Sequence, residues 1–408
     1  MDQLERSLRE ALHELPPPEV DTEGVLSRVH AGAGRRRRSR MAFGAVAVLA
    51  VAAGVAWAVQ PTDLAHGGTQ AAGPSTSLPA SGGSTAPTTA PTPAVAVLSV
   101  TASSADTFWV LGSTGCPRTH CATIQRTDNA GKTFTPLAVP SGAMVTRSAT
   151  TGSISSLRFD HDGVDGWAYG GGLWSTHDAG QSWQPVGLQG FHRADQIVAL
   201  EVWASSAYAL LRHPDGTVDL LRSDVAHDSW RAVDTGLRIS DAAGGMALSD
   251  GIVTFLADAG SGGTSLVSGV NGRWAARALP KACSARTPRI SATFDSLWLL
   301  CAGISPTAYS SVDAGATWTR AAAPLPAADV IAARDAGHAV VASSTAVSAI
   351  SPAGRVQTVP VDSHGATRPL YAGFTDPDTG YVVFDNGYLL RTDAGGASWS
   401  QVDLEPAG

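Results

Sequence analysis

The eight residues THDAGQSW, Thr176 to Trp183, return along the chain as SVDAGATW from Ser311 to Trp318. Two looser copies are TDNAGKTF, Thr127 to Phe134, with Asn129 in the Asp place, and TDAGGASW, Thr392 to Trp399, whose Asp393 sits one place early. Trp230 and Trp274 end two decayed copies, SDVAHDSW and VSGVNGRW. From Phe134 through Trp183, Trp230 and Trp274 to Trp318 the steps are 49, 47, 44 and 44 residues. The next gap, 81 residues to Trp399, is two steps with one hidden unit between them. That unit is SPAGRVQTV, where Gly354 holds the turn and no Trp survives. A unit of 40 to 50 residues that recurs marks a propeller or solenoid, and here it recurs seven times.

Inside each unit two short apolar runs precede the aromatic. They are AVLSV and FWVLG, SLRF and GWAYG, IVALEV and AYALL, MAL and IVTFL, ISATF and LWLLC, VIAA and HAVVA, AGF and YVVF. Such runs, bounded by Gly, Asp and Ser, are strand signals, and their regular spacing predicts an all-β domain. Four antiparallel strands per unit, repeated around a channel, predict a seven-bladed β-propeller over residues 94–408.

The octapeptide has a mechanical reading that needs no ligand. Gly131, Gly180, Gly315 and Gly396 can take positive φ at low cost. The short side chains of Asn129, Asp178, Asp313 and Asp393 can bond backbone N–H groups within the turn. Phe134, Trp183, Trp318 and Trp399 then pack back on the hairpin and seal the blade edge. Each copy reads as a fastener, not a binding site.

At these residues the chain resembles the Asp-box, or bacterial neuraminidase repeat, propellers, over about residues 94 to 405. That superfamily includes sialidases, sortilin-type receptors, xyloglucanases and propellers like the photosystem II assembly factors. The phrase DGVDGWAYGGGLWSTHDAGQSW, Asp162 to Trp183, is most similar to the assembly-factor-like, non-enzymatic branch. The resemblance implies a scaffold or binding propeller. A sialidase-like activity would imply an arginine triad, a Tyr nucleophile polarised by a Glu, and an Asp acid/base. No Arg-Ile-Pro phrase stands before Thr127; PRIS, Pro288 to Ser291, is the only similar one, and after the stalk Glu occurs only at Glu201 and Glu405. A glycoside hydrolase is the rival reading, disfavoured by the missing acid/base pair.

The N-terminal quarter places the propeller. MAFGAVAVLAVAAGVAWAVQ, residues 41–60, carries no charge, and is long enough to cross a bilayer of about 30 Å as a helix. RRRRSR, Arg35 to Arg40, stands before it, so residues 1–40 are expected inside and the propeller outside. A cleaved signal peptide is the alternative, with AWA at 56–58 as the cleavage-like phrase, although a charged leader of this length is long for one. Residues 61–93 are rich in Pro, Ser, Thr and Gly, which predicts a disordered stalk. In residues 1–40, Leu4, Leu8, Ala11, Leu12 and Leu15 share one helical stripe. This arm resembles membrane-tethered regulators of an actinobacterial type, which implies a cytoplasmic partner such as a sigma factor. A sensor signalling through the arm is a third reading.

Cysteine and charge narrow the chemistry. All four Cys follow the span, and Cys116 with Cys121 and Cys283 with Cys301 are each placed to pair within one blade, as suits an oxidising compartment. CPRTHC lacks a second CxxC, so zinc is the weaker reading. Residues 1–60 hold eight basic and seven acidic side chains of the chain's 28 and 35, leaving 20 and 28 outside. That acidic exterior lacks the basic stripe nucleic acid would require. DHDGVDG, Asp160 to Gly166, imitates a calcium loop but has Gly171 at its twelfth place, and GGGL at 170–173 lacks the strand-to-helix context of a phosphate loop. No cofactor or metal is expected. FHRADQ, with His192 and Arg193, joins two blades and is the first place to look for a ligand-facing loop. The expected partner is an extracytoplasmic protein or a cell-envelope glycan.

Overall fold

The computed structural model describes residues 94–405 apart from 115–120, 148–149, 189–190, 243–244, 284–285, 304, 322–323 and 355. The arm, the apolar span and the stalk lie outside the described residues, and no helix among those described is long and apolar enough to cross a membrane. Seven sheets follow one another as blades at residues 96–137, 144–185, 196–232, 246–278, 287–320, 330–360 and 369–401. In each, four consecutive strands pair antiparallel in chain order. The apolar runs fall on the first two of the four antiparallel strands of their blades, except that ISATF continues past Ala292 into the turn that holds Phe294. The hidden sixth unit is present too, with Gly354 at φ 84° turning Ala346–Ile350 into Val356–Pro360.

Blade two departs from the expected four strands. Met144–Val145 adds a fifth, pairing parallel with Ser153–Phe159. Its two residues are too short to show a period. Val145 is buried with Leu111, Ile124 and Ile154, so this strand helps close the gap between blades one and two.

Packing lies between blades. The second strand of each is the most buried, as in Gly166–Gly170 and Leu297–Ala302. Trp167 meets Leu200 and Leu211 of the next blade, Trp298 meets Ile331 and Val341, and Val382 meets Val340 and Val347. The repeat aromatics also work at these seams, facing the preceding blade and not only their own hairpin. Trp183 packs with Trp109 and Leu137, Trp230 with Trp167, Trp274 with Leu210 and Val218, and Trp318 with Leu256 and Leu266. Trp399 joins Val340 and Val347, and Phe134 joins Tyr381 and Leu389 across the seam of the first and last blades. The sixth blade has no such aromatic, and Val356 packs there instead.

Ring closure uses no shared blade. Ala96–Ala102 is the inner strand of blade one, and blade seven is built wholly from residues 369–401. Among the described residues, hydrogen bonds cross the seam from Val97 N–H to the Gly387 carbonyl at 2.9 Å, from Gln125 Nε2 to the Glu405 carbonyl at 2.7 Å, and from Arg391 Nη2 to the Ala105 carbonyl at 3.0 Å. The Phe108 and Tyr381 rings stand 5.1 Å apart between them.

Candidate functional site

The repeat turns are built as fasteners. In blade two Asp178 accepts the Ser182 N–H at 2.8 Å and its hydroxyl at 2.6 Å, while Thr176 Oγ1 accepts the Gly180 N–H at 2.9 Å. Blade five repeats this with Asp313, Thr317, Ser311 and Gly315. In blade one Asn129 does it with an amide, Oδ1 accepting from Thr133 N–H and Nδ2 donating to the Thr133 hydroxyl. Ala130, Ala179 and Ala314 all hold positive φ, as do the glycines after them. The carbonyls this exposes reach the preceding blade: Ala179 accepts from Trp109 Nε1 and Ala314 from Ser268 Oγ, both at 3.1 Å. In blade seven Thr392 Oγ1 accepts from Gly396 N–H at 3.1 Å, but Asp393, one place early, makes none of the carboxylate bonds and stands 3.9 Å from Arg391.

A candidate site lies in the channel. The inner strands converge there, and their small residues, Ala199, Ala247, Ala292, Ala372 and Gly373, leave a cavity of about 540 Å³. Each inner strand runs from the end where the blade connectors cross, the upper mouth, to the end bearing the repeat turns, the lower mouth. The polar side chains in the lining are Arg158, Tyr169, Glu201, Arg289, Ser291 and Tyr371.

Arg158 and Glu201, from the inner strands Ser153–Phe159 and Gln196–Trp203, form an ion pair across the seam of blades two and three. Arg158 Nε also donates to the Leu200 carbonyl at 3.3 Å. Each side chain is 24 % exposed, toward the lumen. Burial raises the Glu201 carboxyl and Arg158 draws it back. Burial works against the Arg158 charge, yet Glu201 and the phenols of Tyr371 and Tyr169 leave its pKa raised. Burial pushes both phenols up as well, so they stay protonated.

Arg289, third residue of the inner strand Thr287–Ala292, is nearer the upper mouth. Burial lowers its pKa, exposed Arg368 adds repulsion, and Asp329 opposes the shift. Its one hydrogen bond among the described residues goes to the adjacent Pro288 carbonyl, at 3.3 Å. It is a partly desolvated cation without a hydrogen-bonded counter-charge, which favours an incoming anion.

The loop singled out in sequence has a different centre. His192 and Arg193 are exposed, and neither lines the channel. Buried Asp195 shapes the loop, accepting the His192 N–H at 2.6 Å and meeting His213 Nδ1 at 3.0 Å. Cys283 and Cys301 form the expected disulfide, Cα to Cα 4.8 Å. Cys121 is also disulfide-bonded, and Cys116, its expected partner, lies outside the described residues. In the calcium-like stretch Asp160 caps its own turn, accepting from Gly163 and Val164. Among the described residues no three His, Cys, Asp or Glu side chains are arranged to hold a metal ion. The sequence reading did not single out the channel residues as a site, although Arg158 and Glu201 each interrupt an apolar first run with a charge and Arg289 stands immediately before one, which is the signal that finds them.

No family model and no curated protein matches the chain. Among solved structures it is similar to YCF48 bound to a D1 peptide, at 18 % identity and TM-score 0.53, over 74 % of this chain and 94 % of that one. YCF48 from Cyanidioschyzon merolae aligns at 17 % identity and TM-score 0.50, over 74 % and 96 %. A puromycin-hydrolysing peptidase of Mycobacterium tuberculosis aligns at 12 % identity and TM-score 0.55, over 77 % of this chain and 53 % of the peptidase. At such identities the likeness is one of fold.

Proposed function

We propose that the chain is a non-catalytic binding propeller, held outside the cell by the apolar span and stalk, whose upper mouth receives an anionic group of a protein or envelope glycan. The observation that carries this reading is Arg289, a cation in the channel wall without a hydrogen-bonded counter-charge, with exposed Arg368 near it. Glycoside hydrolysis asks for two carboxyl groups about 5 to 9.5 Å apart. The lining supplies one, Glu201, and Arg158 engages it. That YCF48, of similar fold, has been solved with a peptide supports a protein partner over a glycan.

The test is titration of the purified full chain with an oligo-glutamate peptide and with an anionic oligosaccharide, beside a fluorogenic sialoside assay. Saturable, salt-sensitive binding that falls about tenfold in Arg289→Gln is the expected result. Turnover of the sialoside, or binding indifferent to Arg289, overturns the reading. For the placement, added protease should remove the propeller from intact cells and spare residues 1–40; protection of the propeller sinks the outside assignment.

A further inference from the structure

The lower mouth carries a second surface, of opposite chemistry. Trp203 ends the inner strand of blade three, and Phe294 sits in the turn between the first two strands of blade five. Their ring centroids are 5.6 Å apart at 37°, so the pair spans the turn of blade four. The Trp203 Nε1 lies 4.0 Å from where a Cβ on Gly251, in that turn, would stand. Phe294 is 61 % exposed. A large aromatic is seldom left so open beside another unless something covers the two.

The turns that present this pair are held firmly. Thr293 N–H donates to the Ser296 carbonyl at 2.9 Å, and their hydroxyls bond at 2.8 Å. Ala204 keeps φ at 50° and Asp250 at 44°, in the left-handed region that non-glycine residues avoid. The aromatic platform is thus preorganised and loses little freedom when it binds.

Carboxylates rim it. Asp250, beside Gly251, makes no side-chain hydrogen bond or ion pair among the described residues, and Asp295 accepts only from the Thr293 hydroxyl of its own turn, at 3.2 Å. The lower-mouth turn of the adjacent blade two adds Asp160 and Asp162. Exposed π-faces bordered by uncompensated negative charge complement a flat cation. Arginine meets both demands, since its guanidinium stacks on aromatic faces and pairs with carboxylates.

We propose that Trp203 and Phe294, with Asp250 and Asp295, dock an arginine side chain of a basic polypeptide at the lower mouth. The site is separate from the anion site at Arg289, so the ring would hold two partners of opposite charge on opposite faces.

The experiment titrates the full chain with an acetylated Gly-Arg repeat peptide, its Gly-Lys and Gly-Gln counterparts, and a neutral chito-oligosaccharide, following Trp fluorescence and calorimetry. The arginine peptide should bind more tightly than lysine, with no binding by glutamine. Phe294→Ala should weaken it about fivefold and Trp203→Ala about tenfold. Asp250→Asn should weaken it several-fold and flatten its salt dependence. Phe294 and Asp250 are exposed, so their variants keep the test valid if Trp203→Ala does not fold. Equal binding by all variants overturns the proposal. So does binding of the oligosaccharide in place of the peptide, which would make the platform a sugar site. Oligo-glutamate should not compete with the arginine peptide, and its failure to bind would count against the Arg289 site alone.

Discussion

Asp313 offers the cleanest test of how the ring is fastened, because the molecule contains its own control. Its carboxylate accepts the Thr317 hydroxyl at 2.7 Å and N–H at 2.8 Å, and the Ser311 hydroxyl at 2.8 Å. The Thr317 bonds hold its pKa down, from 3.8 to about 2. Taken at face value that shift corresponds to roughly 2.5 kcal/mol, but the group is exposed, and solvent screening reduces it to roughly 1 kcal/mol. Asn129 makes the same pair of contacts in blade one with a neutral amide. Asp313→Asn should therefore keep the turn and cost about 0.5 kcal/mol, whereas Asp313→Ala should cost about 1.5 kcal/mol. The sign with pH follows from the lowered pKa: the contribution is complete above the unfolded value and lost as pH falls through about 2. Urea unfolding followed by Trp fluorescence should show a constant gap between wild type and Asp313→Asn from about pH 8 to 5, narrowing below about pH 4. A gap as wide at pH 2.5 as at pH 7, or an Asn variant as weak as the Ala variant, would refute the role given to the charge.

Three further outcomes are expected. His177 bridges Asp165 at 2.5 Å and Asp228 at 3.0 Å; burial lowers its pKa but the two carboxylates outweigh it and leave it raised, so its stabilisation is present below about pH 6.5 and lost as pH rises through the folded value. The stability difference between wild type and His177→Asn should shrink from pH 6 to pH 9, and a flat difference refutes the bridge; His213, also raised, is common to both proteins. Ala314→Gly should stabilise by about 0.5 kcal/mol in the same urea assay, because relief of φ 55° slightly exceeds the added entropy of the unfolded chain. Glu201→Leu should cost about 2 kcal/mol by stranding Arg158, while the double variant with Arg158→Leu should recover most of it; a double variant no better than the single would show the pair to be a net stabiliser.

The blades were legible because their signals are local. Strand runs, turn glycines and a terminal aromatic repeat within each unit, so even the sixth, with only Gly354 at its turn, could be placed. Asp393 shows the limit of the motif, since a shift of one residue keeps the Thr392 half of the turn and forfeits the carboxylate half. The channel was harder to read because Arg158, Glu201, Arg289 and Tyr371 come from four different blades, and only the curvature of the ring brings them together. Trp203 and Phe294 meet across a blade that lies between them in sequence, a relation no periodicity contains.

The complete turns also set where the ring is stiff. Blades two and five carry intact fasteners whose carbonyls reach the preceding blade, while in blades three and four the corresponding turns hold His227 and Asn271 in place of the motif residues. The blade-three turn is still tied to blade two, because Asp228 accepts from Trp167 Nε1 and meets His177 Nε2, so the loose turn is that of blade four, which Trp203 and Phe294 overhang. An occupant seated on that pair would clamp blades three to five from outside, damping their opening and slowing amide exchange in Met246–Ser249 and Ile252–Asp258 more than elsewhere. Binding at the lower mouth would then reach the upper one as a change in stiffness of the shared wall, with no shift in mean position required.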